Sequence, residues 1–138
     1  LEEWRAMVET NIHGVFYAVR AVLPFMKDQG GGHIINISSI SGRLPLPGGS
    51  GYAATKYAVT GFSESLMQEV RDYGIKVTTI FPGSVDSESH RHDADKNHLW
   101  KIKPEEVGET CYHVLNTAPG ALISRVEIRP LHRPPKQA

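Results

Sequence analysis

One cysteine, Cys111, stands among 138 residues, so no internal disulfide can form. That usage fits a reducing compartment. No apolar run reaches the roughly 18 residues a membrane-spanning helix needs, and no signal-peptide pattern is present; a cytoplasmic location is the expectation. Charge of one sign is missing too. Fifteen Lys and Arg cancel fifteen Asp and Glu, which removes the electrostatic case for a nucleic-acid or anionic-membrane partner. Disorder is excluded by composition, because a 40% hydrophobic fraction can supply a core for one domain. An initiator methionine is also absent. The chain opens at Leu1 inside a helical pattern, and the expectation is that an upstream portion belongs to it.

What is present alternates between two periodicities. Trp4, Met7, Val8, Ile12, Val15, Val19, Val22 and Leu23 recur at threes and fours, predicting one helix over 1–29 that the glycines at 30–32 stop. Residues 33–38, HIINIS, read as a short buried strand. A loop rich in Gly and Pro follows over 39–50, then a helix from about Ser50 to Tyr73, solvated toward its end and closed by Gly74. KVTTIF, 76–81, is a second strand broken by Pro82-Gly83. A third helix over 104–117 starts with proline and two glutamates. ALISRVEIRP, 121–130, is a last strand, and 131–138 a flexible tail. Strands separated by helices predict an α/β fold with a parallel sheet. About three strands with flanking helices leave one flank open, so the chain reads as the C-terminal half of a doubly wound, Rossmann-like domain.

Ligands in such sheets sit beyond the carboxyl ends of the strands. The first strand ends at Ser38-Ser39, the second at Pro82-Gly83, and the helix holding Tyr52 and Lys56 starts at the same rim. Residues four apart share a helix face, so Ser39, Tyr52 and Lys56 can converge on one cleft. Asn11 reaches that cleft only if the first helix bends, which Gly14 favours. The chemistry such a cleft suits would be proton transfer to a carbonyl oxygen. A free phenol with a pKa near 10 is too weak an acid to shuttle protons at neutral pH, and a neighbouring ammonium favours its phenolate.

The segments TNIHG, HIINISSISG, GYAATKYAVTGF and KVTTIFPGSVDS, in this order, resemble the C-terminal part of the short-chain dehydrogenases/reductases nearly end to end. The resemblance implies an NAD(P)-dependent oxidoreductase acting on a small carbonyl or alcohol. It makes Tyr52 the proton donor and has Lys56 assist it and bind the nicotinamide ribose. Ser39, thirteen residues before Tyr52, would orient the carbonyl, with Ser38 its rival; Asn11 would hold a water leading from Lys56 to solvent. Pro82, Gly83 and Val85 would border the nicotinamide, and Ser87, where threonine is usual, would bond its carboxamide. The SRVEIRP strand resembles members that prefer NADP(H) over NAD(H) and act on 3-hydroxy or 3-oxo acids. The resemblance also implies a homodimer or homotetramer formed through helices 1–29 and 50–73.

The same family carries a Gly-x-x-x-Gly-x-Gly turn for the pyrophosphate, and no stretch with that spacing occurs in these 138 residues. The isolated chain is therefore expected to be inactive; the alternative is a non-catalytic module that only dimerises. His90, His92, Asp93, Asp95 and His98 lack a closed four-ligand pattern. No metal is expected, and the resemblance implies that residues 84–100, after the Pro-Gly strand end, form a substrate lid. Tyr57, Gly108 and Cys111 are read as packing residues.

Overall fold

The computed structural model describes residues 1–87 and 99–132. The first helix forms over almost the predicted span but in three pieces: α1 (Glu2–Val8), a π turn (Glu9–His13) and α2 (Gly14–Asp28). Pro24 sits inside α2 without ending it. The other elements are β1 (Gly32–Ile37), a 3-10 turn (Ile40–Gly42), α3 (Ser50–Val70), a 3-10 turn (Arg71–Tyr73), β2 (Ile75–Pro82), α4 (Pro104–Leu115) and β3 (Arg125–Ile128). Gly74 closes the second helical segment with φ 72°, a left-handed conformation that costs glycine little. Pro104 opens α4, and the Lys103 backbone N–H donates to Glu106 Oε2 at 2.6 Å.

The three strands lie in the order β1-β2-β3, all parallel, with Ile34 opposite Val77 and Phe81 opposite Glu127. The architecture is α/β and Rossmann-like, as the alternation of elements predicts. Val19, Ile34, Leu66, Val70, Ile75 and Val77 form a continuous core where α2 and α3 cover the sheet. Burying each such side chain contributes about 1.5–3 kcal/mol, so this layer holds α3 against β1 and β2.

Polar side chains stitch the same interface. Asn36 Nδ2 donates to Ser63 Oγ at 2.8 Å, and Ser63 Oγ donates to Val59 O at 2.7 Å. Arg125 pairs with Glu64 of α3 at 2.7 Å. Lys76 and Thr78, which alternate to the opposite face, bond the carbonyls of Ala118 and Ile123. The segment after α4 therefore runs along that second face.

Several expectations are corrected. The end of α3 is not a solvated stretch: Ser63, Leu66 and Val70 keep the helical period and are buried. The last strand is shorter than predicted, because only Arg125–Ile128 finds ladder partners, in Thr79–Pro82. A Cβ on Gly108 would meet open space, so no close approach explains that glycine. Tyr57 is 46% exposed and Cys111 only half-buried, so neither is a core residue. Of the expected lid, residues 88–98 lie outside the described residues, as do residues 133–138 of the tail.

His33 on the second face yields a test. Thr78 gives its hydroxyl proton to Ile123 O, at 2.6 Å, so it accepts from His33 Nε2–H at 2.8 Å. Burial, and then the charge of Lys76 on the paired strand, lower the His33 pKa below its ordinary 6.5. The folded state thus resists a proton that the unfolded state accepts. This stabilising contribution is full above the unfolded pKa and is lost as pH falls through the folded one. Urea midpoints should drop between about pH 7.5 and pH 5, and His33→Gln should flatten that drop.

Candidate active site

Tyr52 and Lys56 lie in the first turns of α3, behind the 39–50 loop. Trp4 and Met7 of α1 pack against Gly51, which lacks a side chain to hold them off. Lys56 Nζ lies 5.7 Å from the centroid of the Tyr52 ring and donates to Ile37 O at 3.1 Å, the last residue of β1. Burial lowers the pKa of Lys56 from its ordinary 10.5. The amine is thus pinned between the strand end and the phenol, with protons still available beyond the one given to Ile37. The amine thus lies on the same side of α3 as the Tyr52 ring, as residues four apart do.

The two serines at the end of β1 face different surroundings. Ser38 is 3% exposed; its Oγ lies 3.0 Å from Lys56 O and 3.0 Å from Thr60 Oγ1. It fastens the strand end to α3. Ser39 has extended backbone and caps the 3-10 turn, its Oγ accepting from Ser41 N at 3.1 Å. That bond uses a lone pair and leaves the Ser39 hydroxyl proton to give. The 3-10 turn then presses on α3. A Cβ on Gly42 would fall 2.5 Å from Ser38 Oγ and 2.7 Å from Lys56 O.

Asn11 sits inside the π turn. Gly14, expected to favour a bend, has ordinary helical dihedrals; the departure from regular helix is the π turn itself. Such turns insert one residue into an α-helix and re-aim its side chains. Asn11 Nδ2 donates to Thr55 Oγ1 at 3.0 Å, and Thr55 Oγ1 donates to Tyr52 O at 2.8 Å. The chain Asn11–Thr55–Tyr52 joins the first helix to the turn that carries the phenol.

On the other side of the rim, Pro82 closes β2 and Gly83 N donates to Ile128 O at 2.7 Å. Val85 bridges Ile102, and Asp86 N donates to Ile102 O at 2.8 Å. Ser87 is exposed at the last described position before residue 88. Pro82, Gly83 and Val85 thus form a fixed ledge at the carboxyl end of β2. The histidines at 90, 92 and 98, with Asp93 and Asp95, lie outside the described residues. Among the described residues no helix is long and apolar enough to cross a membrane.

The sequence reading passed over Thr55, Thr60 and Arg43. Thr55 is fully buried. The Arg43 guanidinium stacks over Phe81 at 5.3 Å and pairs with Glu127 at 3.1 Å, tying the 39–50 loop to β2 and β3. For Thr55 a signal existed in the spacing, since a hydroxyl three residues after Tyr52 can reach back to its carbonyl.

The family profile described as short chain dehydrogenase matches residues 1–98. An uncharacterized oxidoreductase of Staphylococcus saprophyticus is 37% identical over an alignment of 139 residues, covering 94% of this chain and 56% of the relative. The crystal structure of serine dehydrogenase from Escherichia coli superposes with a TM-score of 0.82 at 35% identity, over 94% of this chain and 54% of that one. The closed form of serine dehydrogenase complexed with NADP+ superposes with a TM-score of 0.88 at 33% identity, over 99% of this chain and 59% of that one. The chain thus spans little more than half the length of these relatives. The matched segment holds the strand ends, the 39–50 loop and the first turns of α3 that bear Tyr52 and Lys56, and by these likenesses the chain belongs to the short chain dehydrogenase family.

Proposed function

We propose that these residues form the proton-transfer half of an NADP(H)-dependent oxidoreductase acting on a small carbonyl or alcohol. The observation that carries the reading is the seating of Lys56, its ammonium 5.7 Å from the Tyr52 ring and held there by Ile37 O. Tyr52 donates its phenolic proton to the carbonyl oxygen in reduction and takes it back in oxidation. Lys56 supplies the positive charge that the developing phenolate needs. Ser39 gives its hydroxyl proton to the same carbonyl oxygen and so orients it. Asn11 holds a water that connects Lys56 to solvent.

The nicotinamide end of the dinucleotide fits this donor set. Lys56 has protons left for ribose hydroxyls, and the Pro82–Val85 ledge offers backbone beside the ring, with Ser87 for the carboxamide. When bound, the nicotinamide supplies or accepts the hydride at the carbonyl carbon. NADP(H) is favoured because the serine dehydrogenase of the 0.88 superposition is complexed with NADP+. Serine is itself a 3-hydroxy acid, which supports that substrate class.

A test is a fluorescence titration with NADPH, followed by addition of a 3-oxo acid and loss of nicotinamide absorbance. The 138-residue chain should bind weakly, since no Gly-x-x-x-Gly-x-Gly turn occurs among its residues. Any longer chain that carries these residues together with such a turn should bind and turn over. Failure of the longer chain to bind NADPH or NADH would overturn the reading.

A second reading, a non-catalytic module that dimerises through its helices, draws on exposed apolar residues. Phe16, Tyr17 and Phe25 of α2 and Tyr57 of α3 are exposed. Beside them, Phe16, Leu23, Phe62 and Leu66 line a groove of about 410 Å³ between the two helices. A homodimer or homotetramer through these helices is compatible with catalysis as well. A monomer by sedimentation would exclude both assemblies.

A further inference from the structure

Glu127 on β3 accepts from two arginines that belong to different segments of the rim. Its Oε2 accepts from Arg43 Nη1 at 3.1 Å, and its Oε1 accepts from Arg129 Nε at 2.5 Å. Arg43 directly follows the 3-10 turn that Ser39 caps, and its backbone N–H closes that turn on Ile40 O at 3.0 Å. Its guanidinium also lies over the ring of the buried Phe81, which stands opposite Glu127 in the parallel ladder and next to Pro82. Arg129 lies toward the ledge. A Cβ on Gly83 would fall 3.5 Å from Arg129 Cγ, so the Arg129 stem runs beside the glycine, whose N–H donates to Ile128 O. Two guanidiniums are donors only and repel each other; one carboxylate with two oxygens satisfies both.

We propose that Glu127 is a positioning residue whose carboxylate clamps the Ser39-capped turn and the Pro82–Gly83 ledge at one spacing. Each oxygen serves one arginine, so the clamp uses both. Ion pairs this exposed contribute little to global stability. The effect is local: the carboxylate fixes where the turn after β1 ends relative to the end of β2. The function proposed above gives the carbonyl to Ser39 and the nicotinamide to the ledge, so the catalytic part of this inference rests on that reading; the clamp does not.

The two are tested separately. Glu127→Gln keeps the shape, loses the charge and leaves one oxygen for two donors, so one arginine must face an NH2. Glu64→Gln removes the carboxylate that pairs with Arg125 on the same strand and serves as the control. In the 15N-labelled 138-residue chain, amide hydrogen exchange is measured by NMR at Gly42, Arg43 and Gly83, relative to the buried Val70 and Val77, which report global opening. All three should exchange about two- to fivefold faster in Glu127→Gln, the loss expected of a partly exposed ion pair, and Glu64→Gln should change none of them. In wild type, about 1 M NaCl should have the same effect, because it screens the pairs, and Glu127→Gln should not respond to it. Unchanged rates in folded Glu127→Gln, at the turn or at Gly83, would overturn the clamp. So would an equal response to Glu64→Gln, or wild-type rates indifferent to salt, a result that decides the matter even where the variant fails to fold. In a chain that turns over NADPH, Glu127→Gln should lower kcat about threefold with KM for NADPH little changed, and the same salt should bring wild-type kcat down to that of the variant. Unaltered kcat beside faster exchange would overturn the positioning role. Absence of turnover in wild type would instead count against the proposed function and leave the exchange rates to decide the clamp.

Discussion

Tyr52→Phe should lower kcat for carbonyl reduction by about 10²–10⁴-fold, the range a positioned acid contributes. The replacement removes one oxygen and keeps the ring. Trp4 and Met7 still pack on Gly51 next to it, and the Lys56 ammonium still lies over an aromatic face. Stability and NADPH affinity should therefore change little, and the loss should fall on kcat. The measurement is steady-state reduction of a 3-oxo acid by any chain carrying these residues that turns over NADPH. A fall of less than about tenfold would remove Tyr52 from the role of proton donor.

Gly42→Ala should destabilise the fold by about 2–3 kcal/mol, as overpacking of a tight contact does. The added methyl would lie 2.5 Å from Ser38 Oγ, 2.7 Å from Lys56 O and 2.8 Å from Thr60 Oγ1. Two of these atoms belong to side chains already bonded to each other, and the third is helix backbone. None is the tip of a flexible chain, so relief requires the 3-10 turn to move off α3. Ser39, which caps that turn, would move with it. Urea unfolding of the variant should show a lower midpoint with an unchanged slope. A change under about 0.5 kcal/mol would mean that the turn yields freely.

Where the sequence was readable, the cause is local. Trp4 to Leu23 repeats at helical spacing, β1 and β2 are β-branched runs, and Gly74 stands where a left-handed residue ends the second helix. The spacing of Tyr52 and Lys56 forces a shared helix face, and the Lys56 amine lies 5.7 Å from the centroid of the Tyr52 ring. What escaped depends on partners distant in sequence. The π turn at Glu9–His13 leaves the apolar repeat almost undisturbed, so the segment reads as plain helix. Thr55 owes its role to Asn11, 44 positions away, and Ser38 owes its fixed state to Thr60, 22 positions away. The stretch 121–124 has strand composition, but the register of β3 starts at Arg125 opposite Thr79.

One face of α3 carries hydroxyls where an aliphatic row would serve as well for burial. Thr55, Thr60 and Ser63 each return a proton to the carbonyl of Tyr52, Lys56 or Val59, and each meets Asn11, Ser38 or Asn36. Methyl groups slide over one another at small cost; directional bonds do not. A helix notched in this way cannot rotate or creep along its axis by half a residue without breaking several bonds at once. The phenol and the amine are therefore indexed to the sheet like teeth on a rack. Their placement should tolerate losses of greasy contact elsewhere in the layer better than the loss of any one notch.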